Sequence, residues 1–158
     1  MRKKLSISQV GVVLISALLP LLDGMFQWTT YTMFTNLSKK EMSLQNLMTV
    51  QRIGGGPFLY WMFYITLAIM LIYCIYDLFC EDKFIGKKST IVIPVASLLF
   101  GVIMIMTASN HSDTFIWNGE TRYVSVSLGV LAYVEIVSLV SVTIIECYKQ
   151  VKIKRETR

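Results

Sequence analysis

Apolar residues gather into four runs, 9–28, 57–79, 91–108 and 124–147, separated by segments in which polar and charged residues return. A membrane-crossing helix needs about 20 apolar residues, because the hydrocarbon core is about 30 Å thick and each helical residue rises about 1.5 Å. Every run is close to that length. Lipid offers no partner for backbone N–H and C=O groups, so a run of this kind must satisfy them internally as helix. The pattern predicts an all-α membrane fold: a four-transmembrane-helix bundle with a small external cap of β-strand and amphipathic helix.

The connections supply the cap. Trp28-Thr29-Thr30-Tyr31-Thr32-Met33-Phe34-Thr35 is dense in aromatic and β-branched residues and reads as a strand. Ser38-Lys39-Lys40-Glu41 after Leu37 has the form of a capping box with a Leu37–Met42 staple, so a helix is expected from there to Arg52 or Ile53, ended by Gly54-Gly55-Gly56. Leu44, Leu47 and Met48 cluster on its apolar side, which suits the outer membrane surface or the mouth of the bundle. In the second external connection Asn118-Gly119 stands between two strand-like runs. That is a strong hairpin signal, because a type I′ turn needs positive φ at both central residues. A lone hairpin is marginal in water, so three external strands pairing together are expected. The connection 80–90 is short and charged, which makes helices two and three antiparallel neighbours. There is no internal repeat and no low-complexity segment.

With 158 residues and four spans, little chain is left for a second unit, so residues 1–158 are read as one integral membrane domain. The basic start Met1-Arg2-Lys3-Lys4 resembles a signal peptide, but the apolar run behind it exceeds the about 7–15 residues of such a segment and no small-x-small site precedes Trp28. A retained span is expected. Eleven of the fifteen Lys and Arg residues lie on the side of the termini and the 80–90 connection; Lys39, Lys40, Arg52 and Arg122 lie on the other. The positive-inside rule then puts both termini in the cytoplasm of a multi-pass protein of the cell (plasma) membrane. The net charge of +5 requires no nucleic-acid partner. The basic tail from Lys149 to Arg158 suits anionic lipid headgroups, at about 1 kcal/mol per residue near the surface. Cys74, Cys80 and Cys147 include no C-x-x-C and no external cysteine, which disfavours thiol–disulfide chemistry.

Four helices, cytoplasmic ends, a longer first external loop that begins with a strand after Gln27-Trp28, and a shorter second loop: this layout is similar to that of the claudin and peripheral-myelin-type tetraspan proteins. The resemblance covers the whole chain at the level of topology. Those proteins carry a Gly-Leu-Trp pattern and a disulfide pair in the first external loop, and this loop has neither. What the resemblance implies is architecture, with no functional residue carried over.

Candidate chemistry rests on polar residues inside the spans. Glu135 falls at the middle of 124–147, about 15 Å from either interface, where a charge costs about 2.5–3.5 kcal/mol. It should face the bundle interior, with Ala132 and Ser138 beside it on the helix. Two roles compete: a proton- or cation-binding carboxylate on a transport path, or a neutral acid acting as packing glue, with Ser16 and Thr66 as partners. We expect the structural role. Gln9, Ser16 and Asp23 recur every seven residues and Gln27 follows, giving helix one a polar seam. Asp23, near the outer boundary, is expected to meet Arg52 or Arg122 in a structural ion pair. Ser97, Gly101 and Ala108 permit close helix packing, as does Ala132. Phe58, Tyr60, Trp61, Phe63 and Tyr64 at one end of helix two, and Tyr73, Tyr76 and Phe79 at the other, read as interfacial belts.

His111 beside Asp113 makes no metal site by itself. Asn36-Leu37-Ser38 and Asn110-His111-Ser112 match glycosylation sequons on the external side. No phosphate loop, catalytic triad or metal motif is present in the sequence, and no cofactor or enzymatic activity is expected. The expected role is that of an accessory, scaffold or immunity-type membrane protein, working through another membrane protein, a homo-oligomer or an external ligand. The alternative is a small oligomeric transporter or channel subunit that uses Glu135 and Asp23. A cavity open to Glu135 would favour the second; a carboxyl sealed among helices, the first.

Overall fold

The computed structural model describes residues 2–33, 35–51, 56–79 and 91–156. The 80–90 connection, Cys80 within it, Arg52 and the Gly54-Gly55 stop lie outside these residues. Four helices are seen: α1 Arg2–Leu18, α2 Gly56–Phe79, α3 Val92–Ser109 and α4 Val130–Glu156. Four strands accompany them: β1 Phe26–Tyr31, β2 Asn36–Met42, β3 Ser112–Trp117 and β4 Glu120–Leu128. Among the described residues, three helices are long and apolar enough to cross a membrane: α2, α3 and α4 over Val130–Lys152.

One periodicity organises all four helices. Their buried positions advance in steps of three and four: Ser6, Gln9, Val13 and Ser16 on α1; Gly56, Tyr60, Phe63, Leu67, Met70, Cys74 and Asp77 on α2. On α3 they are Pro94, Ser97, Gly101, Met104 and Ala108, with Ile105 buried beside Met104, and on α4 Ala132, Glu135, Leu139, Val142, Glu146 and Lys149. A repeat averaging 3.5 residues keeps one face of a helix on its neighbours if the helices coil gently round one another. The helices accordingly form a ring in which α1 packs on α2 and α4, and α3 packs on the same two. The start of α1 meets the end of α2 and of α4, so neighbours are antiparallel. Faces turned outward are apolar, for example Ile7 and Leu14 on α1, Ile65 and Ile72 on α2, Leu99 on α3 and Val137 on α4. Polar groups inside and apolar groups outside is the arrangement lipid demands.

The limits of two expected spans move. Helix α1 does not run to Trp28. It ends at Leu18 and tightens into a 3-10 turn at Leu19–Leu21, because Pro20 has no N–H to donate and its ring crowds the preceding turn. Gly24, at φ +100°, then reverses the chain into β1. At the other end, 124–128 belongs to β4 and α4 starts only at Val130. The run was apolar for a different reason: Val124 and Val126 are the buried face of a strand.

The sheet has four strands, one more than expected, in the order β2-β1-β4-β3, all antiparallel. The Asn118-Gly119 turn has φ of 53° and 78°, as a type I′ hairpin needs. The added strand is β2, which takes the place of the helix expected from Ser38. Lys39 and Lys40 pair with Thr29 and Trp28. A capping box contributes about 1 kcal/mol, whereas β1 offers this stretch a whole ladder of backbone partners, so pairing wins. Exposed Lys39, Lys40 and Glu41 suit an edge strand, where charge discourages further pairing. The helical cap moves five residues on, to Ser43, whose Oγ accepts from the N–H of Asn46 at 3.2 Å and opens a π-helical turn at Asn46–Val50. Leu44, Leu47 and Met48 are buried there with Met25, Phe26 and Phe63, so this turn closes the mouth of the bundle. The aromatic belt of α2 also divides: Phe58 and Trp61 face outward, while Tyr60 and Phe63 are core.

Candidate functional site

The polar groups of the bundle interior fall into two tiers. At the end nearer the chain termini, α1, α2 and α4 bring together Ser6, Gln9, Asp77, Glu146 and Lys149, all 6% exposed or less. Lys149 Nζ lies 2.7 Å from Asp77 Oδ2 and 3.4 Å from Glu146 Oε2, and donates to Gln9 Oε1 at 2.9 Å. An ammonium has three N–H donors, and here each has an acceptor. Glu146 is equally occupied. Its Oε1 accepts from Tyr73 Oη and from Gln150 Nε2, both at 3.0 Å, and its Oε2 accepts from Gln9 Nε2 at 3.2 Å. Ser6 Oγ donates to Asp77 Oδ2 at 2.6 Å, and the amine also stands 5.7 Å from the Tyr73 ring centroid.

Gln9 is the hinge of this network. Its carbonyl oxygen faces the cation and its NH2 faces the carboxylate; flipped, the amide would face like with like. Charges this deep are tolerable only when every ion has its partners, and this cluster meets that requirement.

Sequence reasoning named Gln9 as part of a seam but missed the tier it belongs to. Lys149 was expected among lipid headgroups and is 3% exposed; Tyr73 was expected in an interfacial belt and bonds Glu146. The signal was available. Carrying the three-four spacing of α4 on from Glu135 through Leu139 and Val142 arrives at Glu146 and Lys149.

The second tier lies toward the sheet. Glu135 is 1% exposed and Ser16 is fully buried, yet among the described residues neither oxygen of the carboxyl nor the hydroxyl of Ser16 has a hydrogen-bond partner. Thr66, expected to pair with Glu135, bonds the Phe63 carbonyl of its own helix at 2.7 Å. The hydroxyl of Tyr64 goes to the Ala17 carbonyl at 2.9 Å. The depth of Glu135 also changes. With α4 starting at Val130, the residue sits in its second turn, about 7–8 Å of helix below the sheet end rather than at the centre of the span. Ser125 and Ser127 of the original run now lie on β4.

Asp23 is exposed in the turn before β1, not on a helix. Arg122 lies over the Trp117 ring at 5.7 Å instead of meeting it. Asp23 and Glu41 border a groove of about 400 Å³ at the junction of sheet and helices. The groove's lining stops at Leu131, one turn outward of Glu135. Between the two tiers on α1, α2 and α4, Val13, Leu67, Met70, Leu139 and Val142 form a buried apolar layer, each 3% exposed or less.

Ser97, Gly101 and Ala132 all lie in the buried seams. Gly101 is the tightest: a Cβ there would come 2.5 Å from Leu139 Cδ1 and 3.1 Å from Phe63 Cε2, so α3 approaches α2 and α4 through this residue. Cys74 is buried within the charged tier, and Cys147 is exposed. The chain matches no protein-family model, no curated protein and no solved structure.

Proposed function

We propose that the chain is a four-span protein of the cell membrane, with both termini cytoplasmic, that works without catalysis as an accessory or scaffold protein through contacts with another membrane protein or an external ligand. The fourth span is α1, joined by its 3-10 turn. Its apolar stretch covers Leu5–Leu21, and its outward residues Ile7, Leu14, Ile15 and Leu18 are exposed as on the other helices. The eleven-to-four division of basic residues supports the orientation. One observation supports the functional reading: among the described residues of α1, α2 and α4, the buried apolar side chains Val13, Leu67, Met70, Leu139 and Val142 stand between the two polar tiers. What remains for interaction is the external sheet, where the hairpin exposes Phe115, Ile116 and Trp117.

The unpartnered carboxyl of Glu135 favours a second reading, a small transporter or channel subunit, since an intramembrane acid without a partner is a natural ion or proton ligand. Reconstituted vesicles separate the two. The accessory reading expects no pH-dependent flux above protein-free vesicles, and covalent adducts with a discrete membrane protein from a photo-crosslinker placed at Ile116 in cells. A proton-coupled flux abolished by Glu135→Gln in a normally folded protein would establish the transporter instead.

A further inference from the structure

Helix α1 is the shortest of the four described helices, with 17 residues, and carries Ser6, Gln9 and Ser16 on its buried seam. Two of these side chains are spent on the ions of α2 and α4: Ser6 on Asp77, and Gln9 on Glu146 and Lys149. We infer that Ser6 and Gln9 form a latch that seats α1 in a single register. The helix is held by handing polar groups to buried charges rather than by its own partition into lipid, and Asp77, Glu146 and Lys149 have their full set of partners only while it is seated.

The geometry enforces the register. Sliding α1 by one heptad would bring Ser16 to the place of Gln9. A hydroxyl is too short to span a carboxylate and an ammonium at once, and Val13 would face ions. Gln9 is also asymmetric, acceptor toward Lys149 and donor toward Glu146, so no apolar residue of similar size can replace it.

The latch makes a counterintuitive claim. Gln9→Leu makes α1 a better lipid-soluble helix, so a helix held by partition would sit more firmly. A latched helix would sit less firmly, because Lys149 and Glu146 each lose a partner.

Cys74, fully buried in the same tier, reports on this directly. The full chain carrying Cys80→Ser and Cys147→Ser is purified into lipid nanodiscs, and Cys74 is labelled with N-ethylmaleimide over time. In Gln9→Leu, labelling should accelerate by about tenfold, the size expected when a buried charged group loses one hydrogen bond. Ser6→Ala, which removes only one hydroxyl, should accelerate it by a few-fold and carries the test if Gln9→Leu does not fold. Ile7→Ala, on the lipid-facing side of α1, should leave the rate at the wild-type value. A Gln9→Leu protein that labels at the wild-type rate or slower, an unchanged rate in Ser6→Ala, or an Ile7→Ala acceleration equal to theirs would overturn the latch.

Discussion

Glu135 and Glu146 stand on one seam of one helix, about three turns apart, both buried to 1% or less, and they live in opposite circumstances. Glu146 has Tyr73, Gln150, Gln9 and Lys149 around its two oxygens. Glu135 has no hydrogen-bond partner among the described residues. The same helix period buries both, so burial alone says nothing about what a carboxyl does. Company decides. The carboxyl at 146 is one member of a saturated ionic network, and removing any member strands the others. The carboxyl at 135 accepts no hydrogen bond from the described residues, so its removal breaks none of theirs.

The comparison breaks most visibly at Lys149. Lys149→Ala leaves Asp77 and Glu146 buried without their cation and should destabilise the protein by about 3–5 kcal/mol, measured by denaturant or thermal unfolding in detergent. A loss below about 1 kcal/mol would mean that water reaches the tier and that the contrast with Glu135 is false.

The isosteric amides sharpen it next. Glu146→Gln should cost about 1.5–3 kcal/mol, because charge-assisted bonds become neutral ones and one acceptor becomes a donor facing other donors. Glu135→Gln should change unfolding by less than about 0.5 kcal/mol, since no bond is lost. Equal effects would erase the distinction.

Outside the bundle, Gly119→Val tests the hairpin as an independent element. A β-branched residue at φ 78° should cost about 1–2 kcal/mol locally, seen as faster proteolysis between β3 and β4, while Cys74 protection stays unchanged. The smallest perturbation fixes which end of the bundle is external. Single cysteines at Lys40 and Asn118 should react with an impermeant thiol reagent on intact cells, and one at Lys87 should not. Reaction at Lys87 alone would invert the molecule and place the Glu146 tier on the external side.

Parts of this were legible in the chain and parts were not, for identifiable reasons. The hairpin at Asn118-Gly119 was readable because its backbone demand is local to two residues. The helix expected from Ser38 was not there, because the decisive partners of Lys39 and Lys40, Thr29 and Trp28, lie ten and twelve residues earlier, on β1. Val124–Leu128 looked like the start of a span because a buried strand face and a lipid-facing helix are equally apolar over five residues. Lys149 looked like an interfacial anchor because its position near a helix end hides whether its face turns to headgroups or to neighbouring helices.

The sequence by itself determined helices long and apolar enough to cross a membrane, and much of their buried seams, since a three-four spacing of small, polar and apolar residues has only one buried side. Only the tertiary structure decided which polar residues meet. That depends on the vertical offset between α1, α2 and α4, and the offset is set by the contacts themselves: the amine of Lys149 between Asp77, Glu146 and Gln9 fixes a register that no single helix encodes.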